Sequence, residues 1–211
     1  EISREVMAHD FFHICIIAQK KPAFLPALCK IQAGLCHGYQ ELSFIMKKTN
    51  AARLLDKLKI AYEIKEYPVD ENDLSAASVA HKVGLPPGQV FKTLVARGDK
   101  TGVIMGIVSG EAEIDLKALA SASGNKKVEM VHLNEVLPLT GYIRGGVSPL
   151  GAKKNYPVYL DRSALTPSII SISAGLRGMQ IFLRPDDLVK ATGAAVCDIG
   201  RVVGEIGEGN E

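Results

Sequence analysis

The chain has 211 residues, of which 47% are hydrophobic and 23% are charged, and its formal net charge is +2. This is the composition of a globular protein long enough to bury a core, and the low charge argues against a broad basic face for duplex nucleic acid. The apolar run at 11–18 is too short to span a bilayer, and no basic residues crowd its N-terminal side as a secretory signal requires. We therefore expect a cytoplasmic protein.

The four cysteines indicate neither a metal site nor a disulfide framework. Three lie in the first 36 residues and Cys197 lies near the end, without a CxxC pair or the Cys/His spacing of a zinc site. We expect reduced thiols, no metal and no other cofactor.

The first 45 residues differ from the rest of the chain. They carry most of the cysteines and lack clean hydrophobic periodicity, whereas Met46 opens Met-Lys-Lys-Thr-Asn, which is typical of a bacterial translation start. We predict a compact domain over 46–205. Residues 1–45 are then an extension, either a native appendage or an artefact of the gene model.

Hydrophobic periodicity and capping residues predict the elements of this domain in chain order. They are a helix over 49–59, a strand over 61–67, a helix over 75–83, strands over 90–96 and 103–108, a helix from 115 to 124, a strand over 127–131, a short helical turn capped by Asn134, strands over 156–160, 168–173 and 179–183, and a helix from 185 to 193. About seven strands among short helices in an irregular order indicate an α/β fold with a mixed β-sheet or an open barrel.

Lys92 is the most informative single residue, because it lies in the middle of the apolar strand 90–96. Lysines are rarely fully buried without a partner. Either this position lies at a sheet edge, where the amine reaches water, or the ammonium points into a pocket and binds phosphate or polarises a carbonyl.

The stretch at 141–151 is a glycine-rich loop with four glycines, one proline and the basic residues Arg144, Lys153 and Lys154 in or beside it. Glycine allows close approach of main-chain N–H groups to a ligand. The spacing is nearly that of a P-loop, but Ala152 replaces the required lysine and a strand follows instead of a helix, so a Walker nucleotide site is rejected.

Catalytic nucleophiles have little support in the sequence. His81 and His132 are the histidines of the compact part, and both positions are typical of surface or packing residues. No Gly-x-Ser-x-Gly elbow is present. Hydrolysis by this domain would therefore depend on orientation, on oxyanion stabilisation or on a group of the substrate.

Three motifs together resemble the YbaK/ProX family of free-standing aminoacyl-tRNA deacylases, which is related to the editing insertion domain of bacterial prolyl-tRNA synthetases. They are Val-Phe-Lys-Thr-Leu at 90–94, Gly-Tyr-Ile-Arg-Gly-Gly-Val-Ser-Pro-Leu-Gly at 141–151 and Ile-Ser-Ala-Gly-Leu-Arg-Gly at 172–178. Their order and spacing fit the family from about 46 to 200. The second motif, followed by two lysines, is most similar to the YbaK branch, which removes cysteine from mischarged tRNA.

The resemblance implies the fold, the substrate and the site. It implies a mixed sheet or barrel-like domain that hydrolyses Cys-tRNA(Pro), with Cys-tRNA(Cys) as a further candidate substrate and prolyl-tRNA synthetase as a partner. It implies catalytic roles for Lys92, Gly145 and Gly146, the two glycines belonging to the loop that holds the aminoacyl carbonyl. The substrate-binding residues that it implies are Tyr67, Phe91, Thr93, Ser148, Pro149, Ser173 and Gly175.

The implied mechanism agrees with the lack of a protein nucleophile. A synthetase pocket built for proline cannot strongly reject cysteine, which is of similar size, so a second site has to correct the error. In the YbaK branch the cysteine thiol attacks its own carbonyl and expels the tRNA. Two alternatives stay open, namely an Ala-tRNA(Pro) deacylase that uses water and a non-catalytic module that binds tRNA or the synthetase.

Overall fold

The computed structural model describes residues 48–202, which form five α-helices and ten β-strands. The helices are α1 (Asn50–Leu58), α2 (Ala76–Val83), α3 (Leu116–Ala122), α4 (Leu133–Thr140) and α5 (Pro185–Thr192). The strands are β1 (Glu63–Glu66), β2 (Phe91–Gly98), β3 (Gly102–Ser109), β4 (Ala112–Ile114), β5 (Val128–Met130), β6 (Val158–Asp161), β7 (Ile170–Ser173), β8 (Met179–Leu183), β9 (Ala195–Cys197) and β10 (Gly200–Val202). The predicted extension, 1–45, and both ends of the predicted domain lie outside the described residues.

Side-chain caps fix the starts of three helices at the positions that the sequence predicts. Thr49 accepts a hydrogen bond from the amide of Ala52 at 3.2 Å, and Ser75 accepts one from the amide of Ser78 at 3.2 Å. Asp115 caps α3 by accepting from Lys117 and Ala118. Such bonds satisfy amides that have no partner within the helix.

The strands form a mixed five-stranded sheet, a three-stranded sheet and a two-stranded ribbon, with the orders β5-β2-β3-β6-β9, β1-β8-β7 and β10-β4. In the five-stranded sheet β2 is antiparallel to β3 and β5, whereas β6 is parallel to β3 and β9. A single parallel bridge between Val90 and Ser171 brings the three-stranded sheet beside β2. The prediction of an α/β fold with a mixed sheet is confirmed.

Two details of the sequence-based prediction were wrong. The described residues contain ten strands instead of about seven, because β4, β9 and β10 have three residues each, too few to show a period of two. The predicted turn capped by Asn134 is the eight-residue helix α4, whose N-cap is His132. Glu135 sets this start by accepting a hydrogen bond from the amide of His132 at 3.3 Å.

The core lies on both faces of the five-stranded sheet. Alternate residues of β3 point in opposite directions, so Met105 and Ile107 pack on one face while Ile104 and Val108 pack on the other. All four are 1% exposed or less. Burial on both faces explains why this strand is a continuous apolar run in the sequence.

Candidate functional site

A cleft of about 620 Å³ opens where one edge of β2 is unpaired. On this edge β5 pairs only with Ala96–Gly98, and β7 touches only at Val90. The carbonyl of Val95 accepts a hydrogen bond from Val131 at 3.1 Å on this side. Because main-chain groups two residues apart in a strand point the same way, those of Thr93 face the gap.

The cleft combines an apolar lining with a few polar groups, as small-molecule sites commonly do. Its walls come from β2, the start of α2, the start of α4, the glycine-rich loop, and the facing residues of β7 and β8. Among the residues that the sequence predicts for the site, the cleft is lined by Phe91, Lys92, Thr93, Gly145 and Ser173.

Lys92 lines this cleft beside the unpaired edge of β2. Its Nζ donates to the carbonyl of Gly110 at 3.3 Å, and the side chain is partly buried. Burial lowers the pKa of Lys92 from its ordinary value, and the charge of Glu113 opposes that shift. An ammonium has three donors, so two remain for a ligand in the cleft.

Gly110 owes its position to the absence of a side chain. A Cβ there would lie 2.6 Å from the Cβ of Ala76 on α2. Its amide donates to the carbonyl of Val90 at 2.7 Å, and its carbonyl accepts from Lys92 at 3.3 Å. Glycine at this position therefore lets α2 pack closely against the backbone carbonyl that binds Lys92.

Thr93 lines the cleft, and its hydroxyl is buried without a hydrogen-bond partner among the described residues. The side chain is 8% exposed. A buried polar group without a partner costs about 1–3 kcal/mol. Such a group in a cleft is satisfied when a ligand supplies the missing hydrogen bond.

Ser173 and Gln180 are the other buried polar residues of the lining, at 9% and 5% exposure. The Ser173 hydroxyl accepts from the amide of Gly175 at 3.2 Å, and the Gln180 amide oxygen accepts from Ser171 at 3.1 Å. These hydrogen bonds hold both side chains in a fixed orientation beside the cleft.

The glycine-rich loop contributes its backbone to the cleft. Gly145 lines the cleft with a φ of +80°, a conformation that favours glycine. Gly146 packs instead against the backbone of Leu176 and Arg177 in the second glycine-rich turn, and its amide donates to Ile143 at 2.9 Å. Arg177 links the second glycine-rich turn to the loop, because its Nε donates to the carbonyl of Arg144 at 2.9 Å.

Three other predicted substrate-binding residues do not line the cleft. Ser148 and Pro149 are buried, and the Ser148 hydroxyl accepts from the amide of Leu150 at 3.3 Å. Gly175 has a φ of +93° and lies against the ring of Tyr142, where a Cβ would be 2.7 Å from Cε1. These contacts hold the shape of the loop.

Tyr67 lies outside the cleft as well. It lines a separate depression together with Arg177 and Gly178, and its amide donates to the carbonyl of Gly178 at 2.9 Å. Its ring packs against the apolar cluster around Val79 and Val83 of α2.

The sequence did not single out several residues that complete the walls. They are Asn72, Asp73 and Leu74 before α2, Val131 after β5, and Leu133 and Val136 on α4. Periodicity assigns Val136 to a helix face, but no local pattern says that this face meets β2. Only the packing of elements distant in sequence brings these residues to the cleft.

Asp73 is the carboxylate of the cleft lining. The Ser75 side chain and the Ser75 amide, which donates at 3.0 Å, lower the pKa of Asp73. The carboxylate therefore accepts hydrogen bonds at the start of α2 and is a weak base.

Within the described residues the cleft offers no activated nucleophile. Its lining contains neither cysteine nor histidine, and the Ser75 hydroxyl is used as the cap of α2. No three His, Cys, Asp or Glu side chains among residues 48–202 are grouped to hold a metal ion. None of the helices described here is long and apolar enough to cross a membrane.

Comparisons with known proteins agree on one family. The model of the aminoacyl-tRNA editing domain matches residues 70–191. EbsC of Enterococcus faecalis, named as a candidate Cys-tRNA(Pro)/Cys-tRNA(Cys) deacylase, is 48% identical over 153 residues, which are 72% of this chain and 93% of EbsC. A proline–tRNA ligase of Trichlorobacter lovleyi is 31% identical over 98 residues, 46% of this chain and 17% of the ligase.

A solved structure extends the likeness to three dimensions. A candidate trans-editing enzyme for prolyl-tRNA synthetase superimposes with a TM-score of 0.61 at 31% identity, covering 66% of this chain and 87% of that chain. The chain therefore belongs to the aminoacyl-tRNA editing family. Within it the chain is a member of the YbaK-like group, and its enzyme class is aminoacyl-tRNA deacylase.

Proposed function

We propose that this protein is a trans-editing hydrolase that removes cysteine from mischarged Cys-tRNA(Pro), with Cys-tRNA(Cys) as a second substrate. The carrying observation is a cleft that holds a partly buried lysine and an unpaired threonine hydroxyl but, among its described residues, no activated nucleophile. Such a site is suited to binding and orienting a substrate that brings its own attacking group.

In the proposed reaction the thiol of the cysteinyl group attacks its own carbonyl carbon. A carbon–sulfur bond forms, the ester carbon–oxygen bond breaks, and the proton of the thiol passes to the departing ribose oxygen. The product is a cyclic thiolactone, which water then opens to free cysteine. This sequence consumes one water and needs no group from the protein as nucleophile.

Lys92 and the glycine-rich loop are proposed to supply the charge stabilisation. The two free donors of the Lys92 ammonium hold the terminal adenosine or its phosphate and so fix the ester in the cleft. The main-chain N–H group of Gly145, which lines the cleft, steadies the oxyanion that develops on the carbonyl. Gly146, whose amide donates to Ile143, holds the loop in the shape that this contact needs. Burial of Lys92 favours this role, because a partly desolvated charge interacts more strongly with a ligand than an exposed one.

Thr93 and Ser173 are proposed to bind the aminoacyl group itself. The Thr93 hydroxyl is buried without a partner, and the Ser173 hydroxyl lies in the same lining. A site that hydrogen-bonds a substrate group discriminates against analogues that lack this group far better than an apolar pocket does.

We further propose that the protein acts in the cytoplasm on tRNA released by prolyl-tRNA synthetase, and that it associates with this synthetase. The support is the likeness to a trans-editing structure and to proline–tRNA ligases. The net charge of +2 supplies little general attraction to nucleic acid, so a partner that delivers the tRNA fits this chain.

A deacylation panel tests the proposal. Cys-, Ala-, Ser- and Pro-charged tRNA(Pro) are incubated with the full chain, and the ester remaining is measured with time. The proposal predicts rapid loss of cysteine alone, because serine carries a much weaker nucleophile in the place of the thiol. Equal hydrolysis of the alanyl ester would instead favour attack by water, for which Asp73 is the available base in the lining.

A further inference from the structure

A surface of mixed apolar and basic character adjoins the cleft on the side of α4. Three of its apolar side chains are unusually exposed, namely Leu133 at 58%, Leu137 at 51% and Ile143 at 45%. Together with Arg144 they line a second cavity, of about 420 Å³. We call these four residues and Lys153 the α4 surface.

This surface continues the cleft without a break. Leu74, Leu133, Val136 and Arg144 line both the cleft and the second cavity. A ligand that fills the cleft and extends outward on this side therefore passes directly over α4.

The α4 surface carries positive charge at both ends. Arg144 is exposed at the cleft and makes no ion pair within residues 48–202. At the far end of the helix the amide of Lys153 donates to the carbonyl of Thr140 at 3.0 Å, and the exposed side chains of Lys153 and Lys154 follow. The eight residues of α4 separate the two ends by about 12 Å.

A third cavity, beside β5 and the start of α4, is electrostatically different. Its volume is about 200 Å³, and beside Met130 and Val131 it is lined by three carboxylates, those of Asp99, Glu129 and Glu135. Its arginine and lysine are already paired, Arg97 with Glu135 at 2.7 Å and Lys127 with Glu129. The carboxylates of this cavity repel a polyanion, and its two cations are already paired with carboxylates.

We propose that the single-stranded 3′ end of the tRNA leaves the cleft over the α4 surface. Its bases lie on Leu133, Leu137 and Ile143, and its phosphates meet Arg144 and Lys153. This inference rests on the proposed function, since it places the strand that carries the ester. Exposed apolar side chains flanked by unpaired cations match a strand whose bases are apolar on their faces and whose backbone is anionic.

A docked protein is the competing occupant of the same surface. We favour RNA because the strand attached to the ester has to cross one rim of the cleft in every productive complex. Of these two neighbouring cavities, the one lined by Leu137 and Ile143 combines exposed apolar side chains with Arg144, which is unpaired among the described residues. Its carboxylate, Glu71, is paired with Arg177.

The test compares a long and a short substrate in the full chain. Leu137→Glu and Lys153→Glu are assayed on Cys-tRNA(Pro) and on the cysteinyl ester of adenosine, which has no preceding nucleotides. The matched controls are Leu165→Glu, at a leucine that is 43% exposed and lines none of these cavities, and Lys190→Glu, on the exposed side of α5. Affinity for uncharged tRNA(Pro) is measured in parallel over a range of salt concentrations.

The proposal predicts that both test variants lose about tenfold in kcat/KM on the tRNA but keep the wild-type rate on the adenosine ester. It also predicts that Lys153→Glu lowers the slope of log affinity for tRNA against log salt concentration by about one. Wild-type rates and affinities on tRNA would overturn it. It is likewise overturned if the variants lose only a stimulation by the synthetase, which would make the surface a protein interface. A wild-type chain that binds tRNA through this surface but hydrolyses neither ester would refute the proposed function and leave the binding path supported.

Discussion

The ring of Tyr142 lies against Gly175 so closely that a Cβ on the glycine would be 2.7 Å from Cε1. The hydroxyl of the same tyrosine donates to the carbonyl of Leu150 at 2.6 Å. Tyr142 thus ties together both ends of the first glycine-rich loop and packs it on the second glycine-rich turn. Two walls of the cleft, at Gly145 and Ser173, depend on this one side chain.

Gly175→Ala is expected to destabilise the protein and to disturb the cleft. The substitution adds a methyl group against the ring and strains a backbone whose φ is +93°. Gly193→Ala is the matched control, because its φ is +66° but nothing lies within 4 Å of its Cβ position. Left-handed backbone alone costs about 1–2 kcal/mol, so urea denaturation should show a larger loss for Gly175→Ala. Equal losses would mean that the Tyr142 contact is unimportant.

Tyr142→Phe is expected to lower the free energy of unfolding by about 1 kcal/mol near neutral pH, because a buried hydrogen bond to Leu150 is lost. Burial raises the pKa of Tyr142 from 10.0 to about 12. Since the folded pKa is the higher one, the stability linked to this group is complete below pH 10 and is lost as the pH rises towards 12.

The stability difference between wild type and Tyr142→Phe should therefore shrink between pH 10 and 12. Denaturation curves of both proteins across this range measure it. A difference that is constant with pH would contradict the raised pKa.

Thr93→Val is expected to separate stability from activity. The hydroxyl has no protein partner, so its removal should keep or raise the free energy of unfolding by up to about 1 kcal/mol. Deacylation of Cys-tRNA(Pro) should fall, mainly through KM, because the substrate loses a hydrogen bond. Thr93→Ser, which keeps the hydroxyl, serves as control and should restore most of the activity. A fully active Thr93→Val enzyme would remove this residue from the site.

Asp161→Asn is expected to loosen the C-terminal strands and to cost about 2–3 kcal/mol. The buried carboxylate accepts from the amides of Ile199 at 2.9 Å and Gly200 at 2.6 Å, which positions β10 against β4. Burial acts to raise the pKa of Asp161, but hydrogen bonds from Ser163, Ile199 and Gly200 outweigh it, and the pKa is lowered.

The stability linked to Asp161 is therefore complete above its ordinary pKa of 3.8 and is lost as the pH falls through the lower folded value. In acid the variant and the wild type should converge in urea denaturation. Asp198→Asn, at an exposed carboxylate paired with Arg162 on the surface, is the control and should change stability little.

The elements that could be predicted from the sequence are those with local signals. Ser75 and Gly84 fix both ends of α2, and Pro185 starts α5, because capping and φ preferences act within one turn of a helix. The strands β9 and β10 were not predicted, because three residues show no periodicity and only pairing with distant strands defines them as strands. Asp161, which holds them, lies 38 residues before Ile199.

The candidate site divides in the same way. Lys92 and Thr93 could be selected because polar residues in an apolar strand conflict with the local pattern, and both line the cleft. Ser148 and Gly175 belong to equally recognisable motifs, yet they do not line the cleft and instead make contacts that shape the loop. Leu133 and Val136 gave no signal, since an apolar helix face has the same pattern whether it lines a cleft or a core.

The most direct test of the account is single-turnover hydrolysis of Cys-tRNA(Pro) by the wild type, by Lys92→Ala and by the control Lys65→Ala, at an exposed lysine of β1. The account predicts that the wild type and Lys65→Ala release cysteine at the same rate, whereas Lys92→Ala, with an unchanged melting temperature, releases it no faster than buffer. Retained hydrolysis by a folded Lys92→Ala protein would contradict it.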